Sequence, residues 1–132
     1  MRGIYILIIK IDKTLRLKIG ALDTITFSAG MYAYVGSAQN SIESRIKRHL
    51  RKEKHLFWHI DYLLANASVE IIQVYYLTGD KTRECHTAQI ITKHNKPIPN
   101  FGCSDCNCNS HLFHLDDFTF LNNQQLLTLP TM

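Results

Sequence analysis

Tyr34–His49 reads YVGSAQNSIESRIKRH. Tyr32 and Tyr34 alternate with Met31, Ala33 and Val35, the period-two pattern of a strand, and the pattern breaks at Gly36. Asn40 with Glu43 has capping-box spacing and predicts a helix from there to about Lys52. At about 100° per residue, Ile42, Ile46 and Leu50 form one stripe that must face a sheet. Arg45 and His49 stand one turn apart at the edge of that stripe. Lys47, Arg48 and Arg51 are expected further round, toward solvent. Taken alone, such a pair is a snorkelling arginine and a hydrogen-bonded core histidine more readily than part of a phosphate site.

Working outward, residues 3–11 form a nearly continuous apolar run, the mark of a strand buried on both faces. Asp12-Lys13-Thr14 reads as a tight turn into a second, half-buried strand carrying Leu15, Leu17 and Ile19. Residues 20–30 read as a glycine-punctuated connector. A second helix is expected over about Leu56–Asn66, with Leu56, Ile60, Leu63 and Leu64 toward the core. Residues 69–77 (VEIIQVYYL) are strand-like, and Asp80 can start a third helix that ends near His94, before Pro97. PIPNFGCSDCNCNSH is loop-like, and HLFHLDDFTF is expected as a last edge strand. The predicted fold is α+β: a single compact domain with a small mixed or antiparallel central sheet flanked by helices. The domain is expected over residues 1–120, with a Cys-rich loop at 100–111 and residues 121–132 as a tail or edge segment.

The 132 residues suffice for a core without staples, and 45% hydrophobic with 20% charged residues excludes a disordered chain. Net charge is +4, and its distribution is more telling than its size. Residues 45–55 carry six Lys or Arg against one acid, whereas residues 112–132 carry none. A polyanionic partner suits that distribution. The apolar N-terminal run is too short to span a bilayer, so no membrane association is expected, and cysteines without an export signal are expected reduced, in the cytoplasm.

Two further groups bear on chemistry. Glu84, Ala88 and Ile91 share one face of the third helix, which puts a carboxylate on an apolar stripe. That is costly unless a cation, a metal or the helix N-terminus meets it. Tyr5 on the first strand and Tyr34 on the third are each at home in a core. Gly3 and Gly36 beside them allow another backbone or a phosphate to approach closely.

The segments GIY at 3–5, YVG at 34–36 and SRIKRHL at 44–50, with Glu84 in REC, resemble the GIY-YIG nuclease family over about residues 3–100. The longer pattern, with ECHTA and FGCSDCNCNSHLF, is similar to a poorly characterised archaeal and bacterial branch that can be fused to endonuclease III-type repair enzymes. The resemblance implies metal-dependent hydrolysis of DNA phosphodiester bonds, in repair or processing. It gives Tyr5 or Tyr34 the orienting or deprotonation of water, Arg45 the phosphate, and His49 proton transfer or phosphate binding. Glu84 is implied to hold one Mg²⁺ or Mn²⁺. Lys47, Arg48 and Arg51 would track the nucleic-acid backbone. The family's asparagine has no clear counterpart; Asn95 and Asn100 are candidates. A rival reading is a non-catalytic nucleic-acid-binding module that keeps the same fold.

Cys103, Cys106, Cys108 and His111 spell C-x-x-C-x-C-x-x-H, ligand types suited to Zn²⁺, and a zinc-dependent interaction surface is a further reading. His55 and His59 are four apart on the expected second helix and are a weaker metal pair. A polar rim is the alternative there, with His55 and Trp58 contacting nucleic acid and Trp58 stacking on a base.

Overall fold

The computed structural model describes residues 2–102, 108, 110–123 and 127–128. The first strand, β1 (Gly3–Ile11), is buried at every position except Lys10. It lies at the centre of a six-stranded sheet, hydrogen-bonded on one side to β4 (Gly30–Ala38) and on the other to β5 (Val69–Thr78). Both pairings are antiparallel, with Tyr5 opposite Gly36 and Tyr76. Two short strands, β6 (Lys96–Pro97) and β7 (Leu112–His114), extend the β4 edge, and β8 (Leu127–Thr128) extends the β5 edge. Every pairing in the sheet is antiparallel, which places the fold in the α+β class.

The period of two in β1 divides the core into two layers. Tyr5, Leu7, Ile9 and Ile11 face one side, where they meet α1 (Ile42–Leu50) and α2 (His59–Leu64) through Ile42, Ile46, Ile60 and Leu63. Ile4, Ile6 and Ile8 face the other, against Ala88 and Ile91 of α3 (Thr82–Thr92) and Phe120 of α4 (Thr119–Asn123). Gly3 closes the strand's start, where a Cβ would strike the Leu77 carbonyl.

Several boundaries differ from the sequence expectation, each for a local reason. Ser41, not Asn40, caps α1: its Oγ accepts the Ser44 N–H at 3.1 Å. The second helix starts at His59 rather than Leu56, because Asp61 Oδ2 takes the N–H groups of Phe57 (2.9 Å) and Trp58 (2.8 Å) and turns the chain there. The 20–30 connector contains a strand, β3 (Thr24–Phe27), paired with β2 (Leu15–Lys18) in a separate two-stranded sheet. The first of the bends between them is taken by Gly20 at φ 47°. The last predicted strand is only three residues long and lies between β6 and β4, not at the edge. Asn95 Oδ1 accepts the N–H of Asp116 (2.7 Å) and Asp117 (2.9 Å), which ends strand pairing and leads into α4.

Candidate active site

The start of β1, β4 at Gly36 (where the strand continues on to Ala38 rather than ending), α1, the start of α2 and the first turn of α3 surround a cleft of about 480 Å³. Tyr5, Tyr34, Gly36, Arg45, Trp58, Glu84 and His111 are among its lining residues, with Phe57 exposed beside Trp58. The four side chains singled out in the sequence as water-handling, phosphate-binding and metal-binding therefore share one cavity: Tyr5, Tyr34, Arg45 and Glu84.

Gly36 makes room for Tyr5. The two are cross-strand partners, and a Cβ on Gly36 would run into the Tyr5 ring. The Tyr5 hydroxyl consequently reaches over the strand to His49 Nε2, 2.8 Å away on α1. The rings of Tyr5, Tyr34 and His49 stand 5.4–6.5 Å apart, centroid to centroid. Burial sets the proton affinities of this group. It pushes the Tyr5 hydroxyl well above its ordinary value, and the charge and hydrogen bond of Arg45 oppose it without cancelling it. Tyr34 is raised by burial first, then by Tyr5 and Glu84. His49 is pushed down to about 3, by burial and then by the nearby Lys54 ammonium. The resting group is thus two neutral phenols around a neutral imidazole, whose Nδ1 is buried with no hydrogen-bond partner among the described residues.

Arg45 is half-buried, anchored by a 3.1 Å hydrogen bond from Nη1 to the Ser37 carbonyl, and its guanidinium lies 4.5 Å from the centre of the Trp58 ring. That stacking orients the fork without occupying all five donors. Glu84 is the one carboxylate among the lining residues, and its Oε1 is 3.0 Å from His111 Nδ1.

The basic run of residues 45–55 is largely structural, which corrects the solvated face expected for Arg48. Arg48 forms a fork-to-fork pair with Asp61 at 2.8 and 2.9 Å, donates to the His55 carbonyl at 3.0 Å, and also stacks on Trp58. Asp61 is fully buried. Lys52 Nζ binds the carbonyls of Leu64, Asn66 and Val69, and Lys54 binds those of Arg48 and His49 at the end of α1. Lys47 and Arg51 are exposed, and their side chains make no hydrogen bond or ion pair among the described residues. His55 is exposed and outside the cleft lining. It precedes α2, so the i, i+4 pair with His59 does not form; His59 lines the cleft instead, its Nδ1 accepting the Gly102 N–H at 2.9 Å. Neither asparagine candidate reaches the cleft: Asn95 ties α3 to residues 116–117, and Asn100 occupies a turn at φ 64°.

Cys103 and Cys106 lie outside the described residues. Cys108 and His111 come together with a residue the sequence reading did not select, Cys85 of α3. Their ligand atoms all lie within 4.8 Å of one another, close enough to hold a metal ion. Cys85 adjoins Glu84 in sequence, but its proximity to residue 108 depends on how α3 packs, and no local spacing signals it.

An antiparallel sheet covered on both faces, with a cleft of tyrosines, one arginine and one carboxylate, defines an α+β domain built around a polar site. The chain belongs to the family described as Domain of unknown function DUF123, whose model matches residues 4–129. A search of curated proteins and of solved structures finds no match. No helix among the described residues is long and apolar enough to cross a membrane.

Proposed function

We propose that this chain is a metal-dependent endonuclease of GIY-YIG type, hydrolysing DNA phosphodiester bonds in repair or processing in the cytoplasm. The observation that carries the reading is the single cleft shared by Tyr5, Tyr34, Arg45 and Glu84, with His49 hydrogen-bonded to Tyr5 behind it. Arg45 meets the scissile phosphate through its planar fork, held in place by Ser37 and Trp58. Water attacks phosphorus with Tyr5 as its hydrogen-bond partner; the water's proton passes to the Tyr5 oxygen as the phenolic proton passes to His49 Nε2. A bound phosphodiester adds a negative charge beside His49, which raises its affinity for that proton. Glu84 is suited to hold one Mg²⁺ or Mn²⁺, a hard ion that binds through one or two carboxylates and keeps several waters. Such an ion supplies charge neutralisation at the leaving oxygen.

One observation favours a second reading, a non-catalytic nucleic-acid-binding module. Both tyrosines are held protonated, which suits hydroxyl donors to phosphate better than bases. The two are separated by assaying duplex, branched and damaged DNA with Mg²⁺ or Mn²⁺. Cleavage that Arg45→Ala and Glu84→Gln each reduce at least about 100-fold, with unchanged circular dichroism, supports the nuclease. Salt-sensitive binding without cleavage across that panel supports the module.

A further inference from the structure

Glu84 adjoins two sites. One is the cleft; the other is the group formed by Cys85, Cys108 and His111. We propose that Cys85, Cys108 and His111 bind a zinc ion, with Glu84 as the carboxylate that orients His111. One ion would then tie α3 to the segment leading into β7.

The donor set selects the metal class. Two thiolates and an imidazole are borderline-soft ligands that favour zinc over Mg²⁺ or Ca²⁺. Ligand atoms on a tetrahedral zinc lie about 3.5–3.8 Å apart, given Zn–S near 2.3 Å and Zn–N near 2.0 Å. The observed spacing, within 4.8 Å, closes to that with small side-chain rotations. The histidine is already arranged as a zinc ligand. His111 is 1% exposed, and its Nδ1 faces Glu84 Oε1 at 3.0 Å; with the carboxylate on Nδ1, Nε2 is the nitrogen that would bind zinc. A carboxylate on the far nitrogen is the usual partner of a metal-bound imidazole. The backbone fixes the same residue twice: the His111 N–H donates to the Phe101 carbonyl at 2.8 Å, and its carbonyl accepts the Val35 N–H at 2.9 Å. Val35 neighbours Tyr34, so the zinc group and the cleft are joined through both Glu84 and β4. The zinc site stands on its own geometry; its link to catalysis rests on the nuclease reading above.

Elemental analysis of protein expressed with added zinc and purified without chelator tests it. About one zinc per chain is expected, falling at least tenfold in Cys85→Ser and in Cys108→Ser. Glu84→Gln is expected to keep the stoichiometry but to weaken zinc binding about 10–100-fold in competition with a chromophoric chelator. Should the serine variants fail to fold, Co²⁺ added to metal-free wild type decides the matter: an intense near-ultraviolet thiolate-to-cobalt band is expected. Wild type without zinc, full zinc in Cys85→Ser, absence of the cobalt band, or a Cys85–Cys108 disulfide formed in the presence of zinc would each overturn the proposal. Arg45→Ala, on the cleft side, keeps its zinc whether or not the protein cuts DNA, so the zinc site and the nuclease reading fail separately.

Discussion

The Tyr5 hydroxyl lies 2.8 Å from His49 Nε2, with both residues only 2% exposed, so a strand and a helix 44 residues apart share one buried proton position. Its consequence is a pH-dependent stability. His49 titrates at about 3 in the fold against an ordinary 6.5. Between those values the unfolded chain binds a proton that the folded chain does not, so stability falls as pH drops below 6.5. The loss is about 1.4 kcal/mol per pH unit, or about 2 kcal/mol between pH 6.5 and 5. Urea unfolding at the two pH values checks this. His49→Gln should lose correspondingly less over the interval, and an equal loss in that variant refutes the assignment.

Gly36→Ala is expected to destabilise by about 1–3 kcal/mol, because the added methyl overlaps the Tyr5 ring in a packed core. The ring, not the backbone, is the cause: Gly36 is not among the residues of positive φ. Thermal melts of Gly36→Ala in the wild-type and Tyr5→Leu backgrounds measure the coupling. The same cost in both backgrounds would show that the ring is not responsible.

Arg48→Ala should cost about 3–5 kcal/mol, since it leaves the buried Asp61 carboxylate without its cation. Lys47→Ala, on the same helix but exposed, should stay within about 0.5 kcal/mol. Burial alone raises the Asp61 carboxyl, but the Arg48 fork and the N–H groups of Phe57 and Trp58 outweigh it and hold it below its ordinary value. The stabilisation is therefore present above the unfolded carboxylate value and lost as pH falls through the folded one. Chemical denaturation of wild type and Arg48→Ala should show their difference shrinking below about pH 4.

If DNA binds this face, Lys47 and Arg51 carry the phosphate contacts. Each alanine substitution should lower the slope of log affinity against log salt by about 1 and act alike on all sequences. Lys52→Ala and Lys54→Ala should instead lower the melting temperature, because those ammonium groups hold backbone carbonyls. Anisotropy titrations from low to moderate salt distinguish the pairs. Trp58, the sole tryptophan, lies in the cleft, so binding there should also change its fluorescence.

The fold was largely legible because its signals are local. The apolar run of β1 predicted burial on both faces, and the Ile42–Ile46 stripe predicted which side of α1 meets the sheet. Misplaced boundaries share one cause, side chains that bind backbone groups across a turn. Asp61 delays α2, Ser41 displaces Asn40 as the cap, and Asn95 ends β7 from 21 residues away. The Ser41 and Asp61 contacts span only three or four residues, but Asn40 competed with Ser41 as a cap in the sequence, and the Asn95 contact has no local pattern at all.

Sequence by itself determined the α+β frame and the residue types of the cleft, because strand and helix periods follow from backbone geometry alone, while the sheet it left as mixed or antiparallel proved antiparallel in every pairing described. Tertiary structure decided how those residues are used. Cross-strand register set Tyr5 over Gly36 and against His49. The packing of α1 against α2 turned Arg48 to Asp61 and left Lys47 and Arg51 as the outward cations. The packing of α3 carried Cys85 to Cys108 and His111, with Glu84 between that group and the cleft. Each of those pairings joins residues far apart in the chain, and such contacts leave no periodic trace in it.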